Sequence, residues 1–477
     1  MKSLSIMKAF VPVASALMIA SGAFAQISEH PDYEAAVERA AESGWTNDES
    51  ERGGLHLIAD FDSSGDDAWN PADHPLVYIT SESHFNPNPN KTIDGAFAGF
   101  HLIDGYTHEV FADFIGVTMP KASDMRTGPH GTVISPDGKW AYVGWAEVDD
   151  SETRFSGYVA VVNMRTLKID KLMKQQSHFR GEQRSQRLHH AQACVTDDGQ
   201  QRVIISWGFG ANGGPHHILD PDDDNRVARA ITYEDVQVMG HPFTTPDPTC
   251  TYTYISIGSP ELRSAHYAGA GVAKLNMDTG EVSNIMGTGH HPIGITHDVD
   301  GRFTYVVDGH GSHVYKIDNE TDEVVSSTSA GVAGPYGIAM NWDESLIFTV
   351  GKGEGTHNRG SALGVIDGKR FTRWRGLHQM PVFLGGSASS IDHAILHPDP
   401  EVNQLWVSNM NGWDTIILDL ETFKPIEWIP TPHGGDTHSG AFVRYEPDWS
   451  AELLMDQGGP VSNSIRELIR EAKAAAE

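Results

Sequence analysis

One kind of segment, opened by histidine, returns along this chain of 477 residues. His130 opens PHGTVISPDGKWAYV, and His189 and His190 open HHAQACVTDDGQQRVIISW. His291 opens HPIGITHDVDGRFTYVV, His393 opens HAILHPDPEVNQLWVSN, and His438 opens HSGAFVRYEPDWSAELL. Each opening is followed by short apolar runs alternating with period two, usually with an Asp-Gly or Pro-Asp turn between them. That alternation marks strands and hairpins rather than helices. The clearest unit is YVVDGHGSHVYKIDNETDEVVSSTSAG at 305–331, and its outline returns at 405–429, 347–372, 142–174 and, more loosely, 252–286. Short strands in units of about 40–60 residues are the pattern of a β-propeller, whose blades stack around a central channel.

Inner strands are expected to begin near 130, 190, 248, 291, 336, 393 and 438. The last has no outer strands after it, and 76–118 supplies three from the other end of the chain. The expectation is an all-β, seven-bladed propeller over residues 71–455, closed by strands from both termini so that no sheet edge is left open. Before it come a leader, 26–70, with a short helix at Tyr33–Ser43, and a signal segment, 1–25. After it comes 456–477, with a short C-terminal helix at Ser462–Glu477. Lys2 and Lys8, the apolar run from Ala9 to Ala20 and the Ala23-Phe24-Ala25 site read as a secretory signal peptide cleaved after Ala25. The expected location is the periplasm. No other stretch is long and apolar enough to span a bilayer.

Because the first strand of each blade lines the channel, residues at blade starts converge on the axis. His130, His189, His190, His291, His393 and His438 therefore form a candidate metal site. Imidazole suits copper, zinc, iron and nickel, whereas magnesium and calcium prefer oxygen, and the scarcity of cysteine points to copper first and zinc second. Adjacent strand residues face opposite ways, so His189 and His190 can both bind only where the strand is irregular. His216, His217, His290, His310, His313 and His357 read as loop histidines, with His357, flanked by glycines that let backbone approach the channel, the exception to consider. Two blade starts lack histidine: TTPDPTCTY puts Asp247 there and GPYGIAMNW puts Tyr336 there. Asp247 is the candidate base for a metal-bound water, and Lys91 the candidate binder of a small anionic substrate.

The formal net charge of −30 argues against nucleic acid and anionic membranes as partners. It suits a solvated acidic surface, or the steering of a basic periplasmic cytochrome as electron acceptor. Assembly as a homodimer is compatible with the sequence, which does not fix the oligomeric state. Two cysteines, Cys194 and Cys250, exclude a disulfide scaffold, CxxC zinc sites and CxxCH haem attachment. A disulfide between them, two buried thiols and a copper-thiolate role all remain open.

The signal segment, the blade count, the HHAQAC start and the single histidines at 130, 291, 393 and 438 resemble thiocyanate dehydrogenase, over about residues 70–450. Members of that family are periplasmic seven-bladed propellers with a trinuclear copper centre, and they oxidise thiocyanate to cyanate and sulfur with release of two electrons. The resemblance implies about two or three copper ions on His130, His189, His190, His291, His393 and His438, with Asp247 and Lys91 as the channel aspartate and lysine. Glu261 is the candidate for the family's glutamate. The chain departs from the family at Tyr336, where a further ligand histidine is expected, and at Gly131, where a second histidine is expected. A copper propeller oxidoreductase acting on another small sulfur or nitrogen compound is the main alternative, and a non-enzymatic copper-binding propeller is the other. Nitrous oxide reductase also builds its cluster from propeller histidines, but needs a cysteine-rich cupredoxin domain for which this chain has neither room nor cysteines.

Overall fold

Strands nearest the axis and strands at the rim differ in burial, and the difference follows from the architecture. Leu188–Val195 and Pro292–His297 are buried along both faces, because an inner strand is flanked by a neighbouring blade on each side. Outermost strands such as Arg226–Ile231 and Lys424–Pro430 are largely exposed, and the first alternates exposed with half-buried residues. This is why the inner segments read as near-continuous apolar runs and the outer ones as alternating runs. The computed structural model describes residues 27–45, 54–83, 93, 96–119, 131–148, 155–175, 188–207, 215–231, 243–257, 270–354, 360–373, 382–386 and 388–476.

The described strands form seven antiparallel sheets, one per blade. Blades 1 to 6 have inner strands Thr132–Ile134, Leu188–Val195, Thr244–Pro246, Pro292–His297, Pro335–Met340 and Ile391–Leu396. Blade 7 has inner strand Gly440–Tyr445, and its outer strands are Leu76–Ser83, Ala96–Asp104 and Val110–Met119, from the other end of the chain. Leu76 to Thr80 pair with Arg444 to Gly440, so the ring closes by backbone hydrogen bonds between distant segments. The expected seven-bladed, all-β propeller is the observed fold. The Asp-Gly turns are real as well: Gly138 has φ +69, and a Cβ there would lie 2.6 Å from the Ala451 methyl.

Two segments do more than the sequence suggests. Within the expected leader, helix α1 (Tyr33–Glu42) is followed by strand Leu55–Asp60, which adds a fifth strand to blade 1 against Lys168–Gln175. At the other end, Ala451–Asp456 pairs with the axial side of Gly440–Tyr445 and turns back through Gly459–Pro460. That turn meets several inner strands: Gln457 Nε2 donates to the Ala191 carbonyl at 3.0 Å, and Thr296 Oγ1 donates to the Gly458 carbonyl at 2.8 Å. It shares a cleft with Ile338, Ala339, Ala394 and Ile395. Touching blades 2, 4, 5 and 6 at once, it closes the channel at the end away from the blade starts. Helix α2 (Asn463–Ala475) follows, with Ser462 Oγ accepting the Ile465 N–H at 3.2 Å and Ile465 and Ile469 buried.

Cys194 and Cys250 form a disulfide with a Cα separation of 5.5 Å. It ties the inner strand of blade 2 to the turn that ends the inner strand of blade 3, and removes both sulfurs as metal ligands. No helix among the described residues is long and apolar enough to cross a membrane.

Candidate metal centre

At the blade-start end of the channel, four buried rings from four blades meet. His190 comes from blade 2, Tyr336 from blade 5, His393 from blade 6 and His438 from the start of blade 7. Their ring centroids are all between 5.3 and 6.0 Å apart in every pairing. Six nearly equal spacings among four rings make a tetrahedron of centroids.

Each side chain is placed by a local feature of its strand. The pairing of Leu188–Val195 with Gln201–Trp207 runs Ser206 to His190 and then Trp207 to Leu188, skipping His189. That bulge re-aims a residue that would otherwise face away, and the His189 and His190 rings lie 4.2 Å apart at 82°. The irregularity that the adjacent pair requires is present. His438 is fixed by the closing strand: its N–H donates to Ser81 Oγ at 3.1 Å, and Thr80 Oγ1 donates to the neighbouring Ser439 carbonyl at 2.5 Å.

Asp392, missed by sequence reasoning, organises the centre. One of its oxygens lies 2.7 Å from Nδ1 of both His393 and His438, and the other lies 2.7 Å from Lys352 Nζ. His393 Nδ1 also meets the His438 carbonyl at 2.5 Å, an acceptor that keeps the proton on Nδ1 and leaves Nε2 for a metal. His393 Nε2 is buried without a hydrogen-bond partner, a state that a ligating nitrogen escapes when the ion is bound. Asp392, His393 and His438 also present ligand atoms within 4.8 Å of one another. The donor set of imidazole, phenol and carboxylate suits a cation such as copper or zinc, so the residues fit the expected group.

The electrostatics agree. Burial lowers the His438 imidazole to about 3, although Asp392 opposes the shift. Burial alone would raise Asp392, but His438, Lys352 and His393 together hold it well below the usual carboxylate range. A neutral imidazole beside an ionised carboxylate is the state in which histidine ligates.

The remaining expected residues divide. In blades 4, 5 and 6, Pro292, Pro335 and Ile391 pair with Asp308, Gly351 and Asn409 ahead of a bulge, so Ile293, Tyr336 and Asp392 are equivalent positions. His291 therefore sits two residues before the position of Tyr336. It packs on His310, with ring centroids 4.5 Å apart, and its Nε2 lies 4.0 Å from Glu354 Oε1. Burial lowers it to about 3, with His310 and Lys352 adding to the shift. It is a neighbour of the tetrahedron rather than one of its corners. His310, read as a loop residue, belongs with it.

Asp247 is not brought to the centre. It follows strand Thr244–Pro246, where Oδ1 accepts the N–H groups of Thr251 and Tyr252 at 2.9 and 2.8 Å and Oδ2 accepts the Thr249 hydroxyl at 2.7 Å. It is a turn residue at the far end of the strand, and Phe243 holds the axial place in blade 3. Phe243 stacks 5.6 Å from His393 and joins Ile293 and Tyr336 in an apolar wall. His130, Lys91, His357 and Glu261 lie outside the described residues. Gly131 is described, and a Cβ on it would lie 3.4 Å from the His189 carbonyl and 3.5 Å from Ser439 Oγ.

No protein-family model and no curated protein matches this chain. Among solved structures, a dihydro-heme d1 dehydrogenase in complex with DHE is similar at TM-score 0.47 and 13% identity, covering 79% of this chain and 77% of that one. A functionally unknown protein from Desulfotomaculum acetoxidans is similar at TM-score 0.48 and 12% identity, covering 76% and 96%. Likenesses at this level carry no functional information.

Proposed function

We propose that this protein is a periplasmic copper-dependent oxidoreductase that converts thiocyanate to cyanate and sulfur at the blade-start histidines. The observation that carries the reading is the Asp392 carboxylate shared by His393 and His438, beside a cluster of three imidazoles and one phenol. The overall change, SCN⁻ + H₂O → OCN⁻ + S + 2H⁺ + 2e⁻, needs an electron acceptor at the site. Copper, when bound, supplies that acceptor and a Lewis acid.

The chain supplies the rest. Lys352, 11% exposed, brings a cation to the centre and takes the part expected of Lys91, that of balancing an anion. Phe243 and Ile293 present apolar surface on one side, which keeps bulk water from the reacting groups. The C-terminal turn closes the opposite end of the channel, so substrate and product would pass at the blade-start end. Electrons leave to a basic cytochrome drawn to the acidic surface.

Cyanate formation by copper-loaded protein, with thiocyanate and an artificial electron acceptor, tests this reading. Cyanate in step with acceptor reduction is the expected result. A metallated sample that forms none rejects thiocyanate. Tyr336, standing where a histidine is expected, favours the second reading, a related copper oxidoreductase of another small sulfur or nitrogen compound. The same assay run over such anions separates the two.

A further inference from the structure

Tyr336 Oη lies 2.9 Å from His190 Nε2. Two roles fit a tyrosine there. It can donate a hydrogen bond to the outer nitrogen of a histidine that ligates through its other nitrogen, or it can be a ligand beside that histidine. The positions of the other rings decide between them. An outer partner of His190 would stand behind it, farther from the remaining imidazoles than His190 itself. Tyr336 does not: its centroid is 5.4 Å from His393 and 6.0 Å from His438, while that of His190 is 5.5 and 5.8 Å from the same two. Tyr336 is a fourth corner of the tetrahedron. Two donors on one ion, each with a bond of about 2.0–2.1 Å, stand about 2.9–3.3 Å apart for angles between square-planar and tetrahedral. The observed 2.9 Å falls in that range.

A second contact points the same way. Lys352 Nζ sits 3.6 Å from the centroid of the Tyr336 ring while it pairs with Asp392. A cation over an aromatic face is favourable, and it becomes more so when the ring carries the negative charge of a phenolate. In blades 4 and 6 the equivalent positions are Ile293 and Asp392, so the phenol belongs to blade 5 alone of these three.

From this geometry we infer that Tyr336 is a phenolate ligand of the bound metal, together with His190, His393 and His438. The metal–oxygen bond forms as the phenol O–H breaks, and the proton leaves to solvent. The inference rests on the copper reading above and adds a donor to it. An anionic oxygen in place of a neutral imidazole lowers the charge of the centre and favours the oxidised metal.

Copper(II) titrated into the metal-free, full-length protein tests it by absorption and resonance Raman spectroscopy. The expected result is a visible phenolate-to-copper charge-transfer band, with tyrosine ring modes enhanced on excitation into it. Tyr336→Phe should abolish band and modes and weaken copper retention by about 10–100-fold, at least the loss found for outer-sphere partners. Tyr336→His should restore retention without the band. Copper bound in full to the unmodified protein with no such band overturns the tyrosine assignment and leaves the copper reading standing. Failure to retain copper at all overturns both. A band that survives in Tyr336→Phe assigns it to a different tyrosine and also overturns the inference.

Discussion

Asp392 and His438 lie in different blades, yet the carboxylate oxygen of one is 2.7 Å from Nδ1 of the other. The contact crosses the seam between blade 6 and the blade assembled from both ends of the chain. The closing strand also holds His438, whose N–H donates to Ser81 Oγ, so the seam and the centre share residues.

The first prediction concerns that carboxylate. Asp392→Asn keeps the size and loses the charge that orients two imidazoles, so copper affinity should fall about 10–100-fold in a chelator competition. It also leaves Lys352 without its buried partner, which should cost about 3–5 kcal/mol in urea unfolding. Adding Lys352→Met should recover much of the stability and none of the affinity. Recovery of both would mean that Asp392 acts only as a counter-ion.

The disulfide gives a separate test. It closes a loop with a sequence separation of 56, for which chain entropy predicts about 4 kcal/mol. Cys194→Ala with Cys250→Ala should lower the unfolding free energy by about 2–4 kcal/mol and leave copper content unchanged. Lost copper in a folded double variant would return the sulfurs to the site.

Asp456, in the turn that closes the channel, sets a pH dependence. Its carboxyl accepts the Gly458 N–H at 2.7 Å, and burial raises it from 3.8 to about 7. The folded protein therefore keeps this proton over a range in which the unfolded chain has lost it. Its contribution is full below about pH 4 and is lost as pH rises toward 7, at about 1.4 kcal/mol per pH unit. Asp456→Asn should flatten that slope in unfolding curves between pH 4 and 7. An unchanged slope would show that the carboxylate is ionised throughout.

Export is checked at the N-terminus. Periplasmic protein should begin at Gln26, the residue after the Ala23-Phe24-Ala25 site. A full-length cytoplasmic form as sole product would contradict the compartment.

The propeller was legible because its signals are local and repeated. Period-two runs, Asp-Gly turns and the missing outer strands of the last blade can all be counted in the sequence. Convergence was legible where one residue type repeats at blade starts, as with His190, His393 and His438, whose rings meet. It was illegible where register decides. Asp247 and Phe243 are four residues apart on one short segment, and only the strand pairing shows which end faces the centre. His291 precedes the strand and lies two residues before Ile293, the position equivalent to Tyr336. Asp392 and Lys352 were missed because an aspartate beside a histidine, or a lysine in a glycine-rich turn, has no spacing of its own. Reading the residue before each blade-start histidine as a possible orienting carboxylate would have found Asp392.

Metal analysis with electron paramagnetic resonance tests the central claim most directly, on protein recovered from the periplasm and on a His189→Ala, His190→Ala, His438→Ala variant. The account predicts copper in the first, with a copper(II) signal split by imidazole nitrogen. It predicts none in the second, with the β-rich circular dichroism of the two unchanged. A native protein that holds zinc or no metal, or a folded triple variant with its full copper load, would contradict it.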